Sequence, residues 1–420
     1  MTHPEPALAD RALSRRSLLS GLTLGLGAAA VAPRLSLRRA FAAAADAPFL
    51  VIVNQLGGND SLNTYVPYGL GAYYDARPRI AIAAGDVLPI TLGEGLHPAL
   101  APLLPRFQAG EGAVVRQVGY PDPNLSHFES ADVWSKGARL AANQRDPRGW
   151  IGRAADLYFQ GPLDVVGVRT GRRSDFVADT AKPLLLDGLG SYGPGERAVP
   201  WWERSRRDAA VKAMLAAGAS AQEASPGREL RRSLANAYDL VEIVRQADAD
   251  YASTVAYPNE ALSAPLLDIA KLVKAGLGGR IYYTGSGGYD THSDQRGQHA
   301  GLLGGLAASL AAFADDLQAM GAWDRAAILV ISEFGRRNYD NASAGTDHGH
   351  GLSVLALGGA IRGGVYGPAF TAATITQHEE MPGAVDFRAV YANVLERHLG
   401  VDPAPVFTEA WSGDQRVPLY

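Results

Sequence analysis

The chain of 420 residues has no cysteine, which excludes disulfides, thiolate metal ligands and a cysteine nucleophile. Any metal it binds must be held by histidine, carboxylate, amide or water oxygen. An excess of one charge is lacking too: 39 basic residues against 43 acidic ones leave a net charge of −4. That balance gives no sign of the clustered basic face that a nucleic-acid partner requires. The apolar stretch Leu18 to Ala32 is too short, and too rich in Gly and Ala, to span a bilayer comfortably. The mature chain is therefore expected to have no nucleic-acid partner and no stable membrane span.

What is present begins with an address. In "SRRSLLSGLTLGLGAAAVAP" a twin arginine, Arg15 and Arg16, stands directly before the apolar stretch, and "AFAAAADA" at residues 40 to 47 offers small-residue cleavage sites. Residues 1–45 read as a twin-arginine export signal. The expected location is periplasmic or secreted, with the twin-arginine translocation machinery as a partner. Residues 46–420 read as one domain.

Within that domain, "PFLVIVNQLGGND" opens with a nearly continuous apolar and β-branched run ending in Gly-Gly, the pattern of a buried parallel strand entering a loop. Similar runs occur at 112 to 120, 162 to 170, 279 to 292, 326 to 336 and 353 to 359. Residues 297 to 321 space apolar side chains at three and four, a helix that joins the fourth strand to the fifth by a parallel crossover. Residues from about 204 to 275 carry Ala-, Arg- and Glu-rich helical patterns, read as an insertion beside the sheet. The predicted fold is α/β: a doubly wound, mostly parallel sheet with helices on both faces.

Loops after these strands hold the candidate ligands: "GGNDS" with Asp60, "GGYDTHSDQ" with Asp290 and His292, "SEFGR" with Glu333, and "GTDHGHG" with Asp347, His348 and His350. Loops at the carboxyl ends of parallel strands converge on one crevice. A sulfur-free set of histidines and carboxylates suits zinc, manganese or magnesium, and two ions at such a site can clamp an oxyanion during displacement. Taken singly, Asp60 reads equally as a turn former and Asp290 as a helix cap. In "YPDPNLSHFESADVWSKG", Ser126 heads a helical pattern and is a candidate nucleophile, while with Glu129 it also forms the capping-box pattern S-x-x-E. His127 beside it is a candidate base or substrate contact, Ser61 an alternative nucleophile or substrate contact, and Arg336 a candidate substrate-anion ligand.

The motifs "VNQLGGNDSLNTYVPY", "YYDARPRIAI", "LSHFESADVW", "GGYDTHSDQ", "ISEFGRRNYDNASAGTDHGHG" and "GGAIRGGVYG" resemble the DUF1501 family of exported proteins of unknown function, from about residue 49 to 400. That family is placed in the alkaline phosphatase and sulfatase superfamily. The resemblance implies an alkaline phosphatase-like fold and a site of two divalent ions. It matches Asp60 to the metal-ligating aspartate after the first strand, Ser126 to the hydroxyl nucleophile, Asp290 with His292 and Asp347 with His348 to the later ligand pairs, and His350 to a final histidine. The implied arrangement has Asp60, Asp347 and His348 on one ion, Asp290, His292 and His350 on the other, and Glu333 as an orienting group or extra ligand. The expected activity is hydrolysis of a phosphate or sulfate ester, small-molecule or polymer, with Ser126 or a metal-bound hydroxide attacking. The alternative is a non-catalytic exported binding or assembly protein that keeps the fold and at most a structural metal.

Overall fold

A computed structural model describes residues 45–138, 146–159, 161–171, 173–193, 201–217, 226–407 and 417–420. The twin-arginine stretch and its apolar run lie outside the described residues.

The first strand, β1 (Phe49–Gln55), is buried along its whole length. Phe49, Val51 and Val53 join one apolar cluster, whereas Leu50 and Ile52 join another on the opposite face. A strand apolar on both sides needs cover on both sides, and that requirement selects a doubly wound layer arrangement. The remaining strands in chain order are β2 (Tyr65–Val66), β3 (Leu88–Thr91), β4 (Glu94–Leu96), β5 (Gly112–Gly119), β6 (Val165–Val168), β7 (Leu184–Leu186), β8 (Ile281–Ser286), β9 (Ala326–Ile331), β10 (Leu352–Leu357), β11 (Gly364–Tyr366) and β12 (Val385–Asp386). The main sheet runs β11-β5-β10-β9-β1-β8-β6-β7, with β12 also paired to β5, and a small sheet runs β2-β4-β3. In the main sheet β1 pairs in parallel with both β8 and β9, and only the pairings of β10 are antiparallel. Each of the six runs read from the sequence supplies a strand.

The reversed β10 has a consequence for the site. Its amino-terminal end lies at the same edge as the carboxyl ends of β5, β9, β1 and β8. The loop leading into β10 therefore meets the loops leaving its neighbours.

The helices that matter for that edge are α1 (Ser61–Thr64), α2 (Gly71–Ala76), α3 (His127–Lys136), α4 (Trp150–Tyr158), α5 (Trp201–Ala217), α6 (Pro226–Asp250), α7 (Ser263–Lys274), α8 (Gln295–Ala319) and α9 (Phe387–Asn393). In α8, Leu303, Leu306, Leu310, Phe313 and Leu317 recur at helical spacing and are buried in the first cluster. Each such side chain contributes about 1.5 to 3 kcal/mol of burial. The helix ends where Gly321 adopts φ +72, with Ala322 N–H donating to Leu317 C=O at 2.8 Å and Gly321 N–H to Gln318 C=O at 3.0 Å, the paired bonds of a glycine C-terminal cap. Although α8 is long and apolar enough to cross a membrane, it serves here as the crossover between β8 and β9. Within the stretch read as a helical insertion the described residues carry α5, α6 and α7, but α7 packs on β6, β8 and α8. Its last helix thus belongs to the layer covering the sheet. Trp150 and Ile151 of α4, with Phe387 and Tyr391 of α9, cover the other face.

Two buried histidines tie α8 to the small sheet side. His97 accepts the Ala99 backbone N–H at 3.0 Å through Nδ1, and His299 of α8 lies 2.8 Å from Asn59 Oδ1. Burial, which penalises the charged imidazolium, pushes both from an ordinary 6.5 down to about 4. The folded value lies below the unfolded one, so their contribution to stability is complete above pH 6.5 and is lost as the pH falls towards 4. Urea denaturation across that window is expected to lose about 1.4 kcal/mol per pH unit for each histidine, and His299→Gln should flatten the slope by about one proton's worth. An unchanged slope in that variant would contradict this assignment.

Candidate metal centre

The loops at the carboxyl edge are bound together by two buried arginines. The Arg336 side chain is 0% exposed. Its Nε donates to Gly58 C=O at 2.6 Å and Nη1 to Thr346 C=O at 3.0 Å. Nη2 donates to Gly57 C=O, to Tyr289 C=O at 3.1 Å and to Asp290 Oδ1 at 2.6 Å. One guanidinium thereby joins the loops after β1, after β8 and before β10. Arg77 repeats the device: it donates to Asn338 C=O at 2.8 Å, to Arg337 C=O at 2.6 Å and to Asp60 Oδ2 at 2.6 Å. The close approach depends on glycine. Gly57 has φ +121 and a Cβ there would sit 2.5 Å from Asp290 N, while Gly58 has φ +73 and a Cβ would meet the Phe334 ring at 2.2 Å.

Upon this frame stand three imidazoles and one carboxylate. His348 Nδ1 lies 2.8 Å from Leu125 C=O, which can only accept, so Nδ1 carries a hydrogen and Nε2 faces the cluster. His292 Nδ1 faces Asp347 Oδ1 at 3.3 Å, and His127 Nδ1 faces Glu333 Oε1 at 2.7 Å. Both contacts likewise place the hydrogen on Nδ1 and turn Nε2 inward. The inward atoms crowd together. His292 Nε2 is 3.0 Å from His348 Nε2 and 2.9 Å from Asp290 Oδ1, and His348 Nε2 is 3.1 Å from the same oxygen. His127 Nε2 is buried without a hydrogen-bond partner, 3.5 Å from Asp290 Oδ2. Donor atoms of His127, Asp290 and His348 all lie within 4.8 Å of one another.

Lone pairs and a carboxylate at such separations repel unless positive charge lies among them: Arg336 supplies part of it, with Nη2 on Asp290 Oδ1 and Nη1 3.5 Å from His292 Nε2, and a bound ion would supply the rest. Ligands about 2.1 Å from one ion take up comparable spacings, and the set of imidazoles with one carboxylate has the composition of a zinc or manganese site. The residues therefore fit a divalent ion. Below the cluster, the Phe334 ring packs against His127 and His348, each at 4.8 Å between centroids. Beside it opens a groove of about 630 Å³, lined by His127, Asp290 and Glu333 at one end and by Phe128, Ser135 and Arg173 farther along. Asp290 is half exposed towards solvent. Burial acts to raise its carboxyl pKa, but the Arg336 guanidinium outweighs it and holds the group at about 2.

Several residues singled out from the sequence fall elsewhere. Arg336, expected at the substrate, uses its donors inside the protein. Ser61, the alternative hydroxyl, is 4% exposed and accepts the Ser353 backbone N–H at 2.7 Å. His350, expected on an ion, turns Nε2 to accept the Tyr120 backbone N–H at 3.1 Å, and burial lowers it to about 4. Asp60 is buried in its ion pair with Arg77 and also takes the Gln295 amide. Burial acts to raise its carboxyl, yet Arg77 keeps it below the ordinary range. Asp347 holds His292 from outside and accepts the Asn341 amide at 3.1 Å, a contact that lowers its own carboxyl. Glu333 stands behind His127, as an orienting group does. Ser126 is the N-cap residue of α3, but its side chain makes no capping bond, and the reciprocal half of the box is missing too, since Asn124 takes both the Glu129 carboxylate and the Ser126 N–H. His127, read as a base or substrate contact, joins the cluster itself. The sequence reading missed Arg77, Phe334 and Leu125; Arg77 stands in the motif "YYDARPRIAI", but nothing local distinguishes a buried arginine from an exposed one.

Residues 196–417 match the family model described as a protein of unknown function, DUF1501. No curated protein matches the chain. Among solved structures, the lipoteichoic acid synthase LtaP from Listeria monocytogenes is similar at 8% identity and a TM-score of 0.36, over 86% of this chain and 74% of that one. Ps i-CgsB is similar at 9% identity and a TM-score of 0.37, over 88% and 74%. Likenesses this distant leave the fold to be read from the strand order and the site from its own geometry.

Arg336→Met should cost about 3 to 5 kcal/mol of unfolding free energy, the range for breaking a buried charged network, as read by denaturant titration. A loss below about 1 kcal/mol, typical of surface ion pairs, would show that the loops hold without it.

Proposed function

The chain belongs to the DUF1501 family, and we propose that it is an exported, metal-dependent hydrolase of phosphate or sulfate esters. The observation that carries this reading is the 3.0 Å approach of the His292 and His348 Nε2 atoms, each turned inward by an oxygen on its Nδ1. His127, Asp290, His292 and His348 would hold the ion. A divalent ion there supplies Lewis-acid polarisation of an ester oxygen and offsets charge developing in the transition state.

The chain's own residues supply the rest. Glu333, which also accepts the Gly57 N–H at 2.8 Å, fixes the ring of His127; the Leu125 carbonyl does the same for His348. Between these two contacts lies Ser126, at the start of a ten-residue helix and with its side chain free of any capping bond. Its hydroxyl would attack the ester, and the helix N-terminus would favour the anionic group under attack. The groove lined by His127, Phe128 and Arg173 would receive the group esterified to the phosphate or sulfate. Export rests on Arg15 and Arg16 and implies passage through the twin-arginine translocation machinery in the folded state.

Turnover of p-nitrophenyl phosphate and p-nitrophenyl sulfate is expected from the metal-loaded wild type. His348→Ala should lower kcat/KM at least 100-fold, since ligand loss removes both the ion and its charge, and Ser126→Ala should lower kcat at least as far if Ser126 attacks. Absence of turnover over a broad ester panel, with metal bound, would reject hydrolysis and leave a binding or assembly protein with a structural ion.

A further inference from the structure

We infer that this centre holds one divalent ion rather than two, with the buried guanidinium of Arg336 supplying the second positive charge. The inference rests on the metal-dependent reading above and concerns the number of ions and the residues that replace one of them.

The partners a second ion would need are committed elsewhere. Asp60, the aspartate that follows β1, has Oδ2 at 2.6 Å from Arg77 Nη1, with both side chains at most 1% exposed. Its other oxygen, Oδ1, is buried without a partner, but among the described residues Asp60 belongs to no cluster of three ligands: the nearby His299 directs Nε2 to Asn59, and Gln295 Nε2 donates to Oδ2. The imidazole of His350 is engaged by the backbone of Tyr120. Asp347 directs Oδ1 to Asn341 and to the Nδ1 side of His292, away from the inward Nε2. On Asp290 Oδ1, the oxygen that the His292 and His348 rings approach, a cation already stands: Arg336 Nη2 at 2.6 Å, with Nη1 3.5 Å from His292 Nε2.

Charge points the same way. Asp60, Asp290, Glu333 and Asp347 bring four negative charges, and Arg77 and Arg336 bring two positive ones, leaving two negative charges in the free protein. One divalent ion cancels them. A second would leave a net two positive charges, with the two guanidinium groups already counted. The second Nη1 hydrogen of Arg336 faces His292 Nε2 at 3.5 Å, so Arg336 has no donor left to reach a substrate and acts on the reacting group through its field and through Asp290.

Chelator-treated wild type titrated with Co²⁺, followed by visible absorption, should reach its endpoint at one equivalent, and elemental analysis of the reloaded, dialysed protein should give one ion per chain. Mn²⁺ loaded to saturation should show the resonance of an isolated ion. His348→Ala should abolish the tight equivalent, whereas Asp60→Asn, checked as folded by circular dichroism, should keep it. An endpoint at two equivalents, or spin-coupled Mn²⁺, overturns the single-ion inference and leaves the metal-dependent reading intact. No tight equivalent in the wild type overturns both. Loss of the ion in a folded Asp60→Asn protein also overturns the inference, and if that variant fails to fold the wild-type titration decides alone.

Discussion

The buried guanidinium of Arg336 is the contact on which the rest of this site depends. Four backbone carbonyls, from Gly57, Gly58, Tyr289 and Thr346, together with the Asp290 carboxylate, accept from it. They belong to segments far apart in sequence that share one edge of the sheet. An arginine in this position does what a short-range packing contact cannot. Its planar fork fixes several loops in one plane, and its permanent charge keeps Asp290 ionised although burial opposes that.

Rigid support and accessible chemistry are thereby divided among different residues. Arg336, Arg77, Asp60 and Phe334 are buried and immobilised, while Asp290 and His292 remain almost half exposed. Each inward imidazole is held from behind by an oxygen: Glu333 for His127, Asp347 for His292 and the Leu125 carbonyl for His348. These three holders come from the loop after β9, the loop before β10 and the loop before α3.

The fold was largely legible because periodicity survives translation into structure. A β-branched run such as that of β1, apolar at every position, announces burial on both faces, and the three-and-four spacing of α8 announces a helix with one covered stripe. The site was legible in outline, since Asp290, His292, His348, His127 and Glu333 all stand in glycine-rich loops beside predicted strands. What misled was proximity in sequence. His348 and His350 are two residues apart, but the chain between them is already turning into β10, and their rings part, one to the cluster and one to the backbone of Tyr120.

By itself, then, the sequence determined the α/β class, the positions of the main strands, the absence of thiol chemistry and the glycine-rich loops that carry the clustered histidines and carboxylates. These follow from residue type and local spacing. Only the tertiary structure decided which carboxylates are available and which are neutralised, because a buried ion pair such as Asp60 with Arg77 joins an aspartate after β1 to an arginine after α2 through contacts that no local pattern records. The reversal of β10, which brings "GTDHGHG" to the same edge as "GGYDTH", likewise arises from strand pairing across the sheet.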